Sequence, residues 1–167
     1  LRNSYEGFEF SHASIMYNAL KIENVVRLVQ VGIRDICEEE YNLAAESERI
    51  VLFDDYRLKA DEFEGKKWKD ECKKIIETLP SDVYISFDID GLSPELCPNT
   101  GTPVPGGLSY HQVIYLIASI VKSGRKIVGF DLCEVAPGKN SEWDANVGAR
   151  ILYKLAQLCI QSNDINK

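Results

Sequence analysis

Stretches rich in β-branched residues alternate with helix-patterned stretches along this chain, and that alternation constrains its fold more than any other feature. The run Val-Val-Arg-Leu-Val-Gln-Val-Gly over 25–32 and the segments 83–88 and 126–132 read as buried strands, with a shorter strand over 49–53. Helices are expected over 11–20, 37–47, 66–79, 109–123 and 142–160. In the third of these, Trp68, Cys72, Ile75, Ile76 and Leu79 form one apolar stripe at helical spacing, and Pro80 stops it. Ser109 is placed to cap the fourth. A strand that rejoins the same sheet after each helix runs parallel to its predecessor. The expected fold is therefore a single α/β domain over 1–167, a three-layer parallel sheet with helices on both faces.

Composition narrows the partners. With 45% hydrophobic residues in 167, the chain can bury the core of one domain. The 19 Lys and Arg against 26 Asp and Glu leave a net charge of -7, which opposes a phosphate footprint, so no nucleic-acid partner is expected. No apolar run approaches the ~20 residues that span a bilayer, so no membrane partner is expected either. The five cysteines are widely spaced and form no Cys-x-x-Cys pair, which reads as reduced thiols in a cytoplasmic protein. The first residue is Leu1 and not Met, and the residues after it read as the middle of a loop, so coding sequence upstream is expected.

In a parallel sheet of this kind, ligands collect where strands end and loops converge. The strand over 83–88 runs into Asp88-Ile89-Asp90. If the backbone stays extended, both carboxylates leave one face about 6.6 Å apart at Cα. Two ionised acids that close call for a cation or a shared proton, and hard oxygen donors suit Mg, Ca or Mn. The alternative is that one Asp caps the following turn while the other is solvated. The loop over 93–107, rich in Pro and Gly, reads as a rigid pocket wall or an ordinary surface loop. The strand over 126–132 leads into Glu134 at the same expected sheet edge, either as an anion for a cationic substrate or as a solvated helix-start Glu. Of the two histidines, His111 reads as structural or surface. His12, at the start of a helix, is better placed for proton transfer, although a lone His is more often structural.

The stretch Ser86-Phe87-Asp88-Ile89-Asp90-Gly91-Leu92-Ser93-Pro94, followed by Asn99-Thr100-Gly101-Thr102-Pro103-Val104-Pro105-Gly106-Gly107-Leu108, resembles the signature of the ureohydrolases, the arginase and agmatinase family. Phe130 to Pro137 is similar to that family's next strand, and Tyr5-Glu6-Gly7 with Ser11-His12-Ala13 is similar to its His loop. The resemblance covers essentially the whole chain, as the C-terminal part of such an enzyme, and implies an arginase-like fold incomplete at the N-terminus. It implies a hydrolase with two Mn2+ per active site that splits a guanidinium group into urea and an amine. Asp88 and Asp90 would be metal ligands, Glu134 the partner of the guanidinium, and His12 the proton shuttle and a substrate contact.

Two departures bear on this expectation. The family's upstream ligands, a His and an Asp-x-His-x-Asp cluster, have no counterpart here, so the 167 residues alone are expected to hold no two-metal centre and to be inactive. Ser93 stands where the family usually has Asp, which implies a lost loop hydrogen bond or turn cap. The His loop is most like that of bacterial agmatinases, so agmatine is the expected substrate, with Glu6 and Glu9 suited to its cationic tail. Arginine and formiminoglutamate are the alternatives within the family, and a non-catalytic relic acting as a binding module is the alternative outside it. A homo-oligomer, trimer or hexamer, is what the resemblance implies for the full-length protein.

Overall fold

The computed structural model describes residues 1–164. It contains four strands, β1 (Leu28–Ile33), β2 (Ile50–Asp54), β3 (Asp82–Asp88) and β4 (Lys126–Cys133), and six α-helices, α1 (Ile15–Ala19), α2 (Glu38–Glu46), α3 (Asp55–Phe63), α4 (Trp68–Thr78), α5 (Tyr110–Lys122) and α6 (Trp143–Asn163). All strand pairing is parallel, as the alternation with helices predicts. The ladders join β1 to β2 and β3 to β4, and among the described residues none joins the two pairs.

What unites the pairs is a shared core. Val83 of β3 is buried with Cys72 and Ile75 of α4 and Leu116 and Ile120 of α5, and Val29, Val31 and Phe53 from the first pair pack on the same cluster. The apolar stripe predicted for α4 is the face that does this, with Cys72 and Ile75 almost wholly buried. On the second pair, Ile127 is buried against Val147, Ile151 and Leu155 of α6. Period-two alternation sends their neighbours to the opposite face, where Tyr84 and Val128 stay 59% and 60% exposed. The described helices therefore cover β3–β4 on one face.

The helix α5 begins as its sequence dictates. The Ser109 hydroxyl accepts from the Gln112 N–H at 3.2 Å, and the Gln112 side chain accepts from the Ser109 N–H at 2.9 Å, a reciprocal cap. The helix α3 has no counterpart in the sequence reading. It follows β2 without a linker, capped by Asp54, whose carboxylate accepts from the Arg57 N–H at 2.9 Å. Its apolar residues make no stripe: Leu58 is buried, but Tyr56 and Phe63 are exposed.

The register of β3 on β4 positions the chemistry. Cα partners run from Asp82 and Lys126 to Asp88 and Cys133, with a shift after Val83. Asp88 thus lies across from the residue that precedes Glu134, and two strands separated by a helix deliver acids to one sheet edge.

Candidate active site

The backbone leaves the extended conformation immediately after Asp88. Ile89–Gly91 forms a 3-10 turn, and the Asp88 carboxylate accepts from the Asp90 N–H at 3.1 Å. The extended Asp-x-Asp expected from strand alternation is therefore corrected. Asp88 ends the strand and caps the turn, while Asp90 rides on the turn, because a short acidic side chain competes for the main-chain donors that follow it. The carboxylates nonetheless remain electrostatic neighbours. Desolvation at the base of the loop, followed by the charge of Asp90 and a smaller effect of Glu134, pushes the Asp88 carboxyl up to about 6. Asp88 as a residue is exposed, so the repulsion between acids is the contribution that its open position best sustains.

Among the described residues, Glu134 is one of two non-glycine residues with positive φ, at 61°. For a residue with a Cβ this left-handed conformation costs about 1–2 kcal/mol, and strain of this kind gathers at functional sites. The side chain itself is exposed, and its Oε2 lies 3.3 Å from where a Cβ on Gly101 would stand. The loop that follows Asp90 thus runs directly beside the Glu134 carboxylate.

That loop is tied down at several points. The Thr102 hydroxyl donates to Asp90 Oδ2 at 3.1 Å, and the Thr100 hydroxyl donates to the Glu134 carbonyl at 3.0 Å. The buried Asp144 carboxylate accepts from the Asn99 N–H at 2.8 Å and from Asn99 Nδ2 at 3.1 Å. Just after β1, the Arg34 guanidinium donates to the carbonyl of Gly91 at 3.3 Å and also to that of Asp90. At the loop's far end, the Gly107 N–H donates to Asp55 Oδ2 at 3.2 Å. Ser93, in place of the acid usual in the resemblance, donates its hydroxyl to the Glu95 carboxylate and its N–H to the Leu108 carbonyl. Arg34, Asp55, Asn99, Thr100, Thr102 and Asp144 are the supports that the sequence reading did not identify.

Gly107 makes this architecture testable. Its φ is 94°, and an added Cβ would sit 2.6 Å from the main-chain carbon and oxygen of Leu92. Backbone at that distance cannot yield as a flexible side chain can. Gly107→Ala is expected to cost about 2–3 kcal/mol of stability, lowering the thermal midpoint by roughly 5–10 °C. A melt unchanged from the parent would contradict the close approach.

The two histidines lie outside this constellation. His12 opens a 3-10 turn, His12–Ser14, and is exposed, with its ring edge-on to Tyr5 at 5.5 Å. Among the described residues, no hydrogen bond or ion pair connects it to Asp88, Asp90 or Glu134. His111 is exposed on α5 beside Tyr110. Glu6 and Glu9 are both exposed, and Glu9 forms an ion pair with Lys21 at 2.8 Å. All five cysteines are free, and burial first of all pushes the Cys97 and Cys133 thiols up to about 11, which keeps both from acting as thiolates near neutral pH.

The chemistry available is therefore that of carboxylates. Asp88 and Asp90 are hard oxygen donors of the type that suits Mn2+, and their mutual repulsion is what a cation relieves. A full shell for such an ion takes about six oxygen-type ligands. Among the described residues no group of three or more His, Cys, Asp or Glu could hold a metal ion. The pair fits as part of a cation site and requires further donors to complete it.

A model described as the Arginase family matches residues 1–157. The chain is 35% identical over 150 residues to a protein of Thermus thermophilus named N(1)-aminopropylagmatine ureohydrolase, a match covering 89% of this chain and 47% of that protein. It is 32% identical over 155 residues to an agmatinase of Pyrococcus horikoshii, covering 92% of this chain and 50% of that one. Among solved structures, the agmatine ureohydrolase of Thermoplasma volcanium matches with a TM-score of 0.71 at 30% identity, covering 98% of this chain and 51% of that chain. The chain thus spans about half the length of the curated relatives it matches.

Proposed function

Because this chain belongs to the arginase family, we propose that the protein carrying it hydrolyses a guanidinium group to urea and an amine, with agmatine as substrate and putrescine as product. The observation that carries this reading is the meeting of Asp88, Asp90 and Glu134 at one sheet edge, with Asp88 across from Cys133 in the ladder. Asp88 and Asp90 are the residues that would hold manganese, whose chemistry is to lower the pKa of water so that it attacks near neutral pH. Glu134 takes the guanidinium, since a planar cation with paired N–H groups matches a carboxylate in a charge-assisted, bidentate contact. Thr102 holds Asp90 by its Oδ2. His12 moves a proton to the departing amine in this reading, which requires its loop to meet the substrate. Free cysteines throughout accord with a reducing, cytoplasmic setting, and no described helix is long and apolar enough to cross a membrane. A homo-oligomer, trimer or hexamer, completes the proposal.

A second substrate has its own support. The relative with 35% identity is named for N(1)-aminopropylagmatine, which carries the same guanidinium on a longer cationic tail. A panel of agmatine, N(1)-aminopropylagmatine, arginine, guanidinobutyrate and formiminoglutamate on full-length, manganese-loaded protein separates the candidates. Urea is followed for the first four and formamide for the last. Agmatine is expected to give the highest kcat/KM, about tenfold or more above arginine, because no free cation is needed to receive an α-carboxylate. Equal or better turnover of arginine would overturn the substrate assignment.

A further inference from the structure

We propose that Thr100 and Asp144 are positioning residues that aim the Glu134 carboxylate by locking its main chain in the left-handed region. The proposal rests on the reading of Glu134 as the guanidinium partner, and it adds how that acid is held.

The lock runs from α6 through the loop to the end of β4. Asp144, in the first turn of α6, is wholly buried, and both its oxygens are committed to Asn99, Oδ1 to the N–H and Oδ2 to Nδ2. This fixes Asn99 in position and orientation together. The next residue, Thr100, is itself buried, its N–H bonded to the Cys97 carbonyl at 3.2 Å. Its hydroxyl therefore has a fixed direction, and it donates to the Glu134 carbonyl at 3.0 Å. Anchoring that carbonyl fixes the peptide plane after Glu134, one of the two planes whose relative rotation sets the backbone torsions of a residue held at φ 61°.

The opposite side of the segment is closed as well. A Cβ on Gly148 of α6 would stand 2.9 Å from the Val135 side chain, and one on Gly138 would stand 2.7 Å from Asn99 Nδ2. The segment after Glu134 is thus gripped between a hydroxyl on one side and a helix face on the other. A residue with a Cβ persists in a costly conformation only where its surroundings over-determine it, and these contacts do so. The result matters for chemistry because bidentate pairing with a planar cation depends on the direction of the carboxylate as much as on its charge.

A purely structural role for these residues predicts a different outcome, and the experiment separates the two. Thr100→Val keeps the shape and removes the donor, whereas Thr100→Ser keeps the donor. In the full-length manganese-loaded protein, Thr100→Val is expected to raise KM for agmatine about tenfold, with kcat and manganese content within about twofold of the parent. Thr100→Ser is expected to restore KM. A crystal structure of Thr100→Val is expected to show Glu134 outside the left-handed region. If Thr100→Val does not fold, Asp144→Asn, which turns one acceptor into a donor facing Asn99, is read by the same measurements. An unchanged KM with Glu134 still at positive φ overturns the proposal, as does a parallel loss of kcat, metal and stability. If the backbone moves but neither Thr100→Val nor Glu134→Gln changes KM, the lock stands and the assignment of Glu134 to the guanidinium fails.

Discussion

Asp88→Asn is expected to remove manganese-dependent urea release from the full-length protein while making the metal-free protein more heat-resistant at pH 7. The first effect follows from the proposed ligand role. A divalent cation stabilises developing charge by several kcal/mol, and losing one of its carboxylates costs about a thousandfold or more in rate. The second effect comes from Asp88's raised pKa. Its carboxyl titrates at about 6 in the folded chain and near 4 when unfolded. Between those values the folded state holds a proton that the unfolded state has released, so stability falls as pH rises from about 4 to about 6. Above that window the penalty for a partly desolvated Asp88 charge beside Asp90 is fully present. Asparagine keeps an oxygen to accept from the Asp90 N–H and carries no charge. The difference between the melting temperatures of variant and parent, measured without metal, should therefore be near zero at pH 4 and positive at pH 7. A variant that melts lower at pH 7, or one that retains turnover, would contradict this account of the pair.

Glu134→Gln carries the second large effect. The substitution preserves length and hydrogen-bonding shape but removes the negative charge proposed to pair with the guanidinium. Losing a charge-assisted hydrogen-bonded pair costs about 1.5–3 kcal/mol, equivalent to about ten- to a hundredfold in affinity. KM for agmatine is expected to rise by that factor with manganese content unchanged. The metal measurement is decisive for the assignment: if Glu134→Gln also strips the protein of manganese, the residue is a ligand and not the substrate's counter-ion.

Much of this architecture is legible in the sequence. The β-branched runs mark β1, β3 and β4 to within a few residues, and their separation by helices gives parallel pairing. The cap of α5 and the buried face of α4 follow from Ser109 and from the Cys72 and Ile75 stripe. The placement of Glu134 near Asp88 is also foreseeable, because both close strands of one parallel sheet. Asp90 shows where such reading stops. Alternation assumes an extended backbone, and the Asp88 side chain bends the chain into a 3-10 turn by capping it. The helix α3 escapes notice because its exposed Tyr56 and Phe63 blur any apolar stripe. Asp144 escapes for another reason. An acid in the first turn of a helix is ordinarily a solvated complement to the helix dipole, and nothing local signals a buried contact with Asn99, 45 positions earlier. The same holds for Arg34, whose carbonyl partners at Asp90 and Gly91 lie more than fifty positions later, in the turn after β3.

The split ladder has a consequence for handling the chain. Among the described residues each ribbon has only two strands, and a strand border left without a partner recruits foreign strands when molecules crowd together. What works against clumping is the surplus of seven negative charges, the difference between 26 acids and 19 bases, which keeps like molecules apart at low salt. Added electrolyte weakens that mutual repulsion over about 10 Å at 0.1 M, so dilute, low-salt buffers favour dispersed chains.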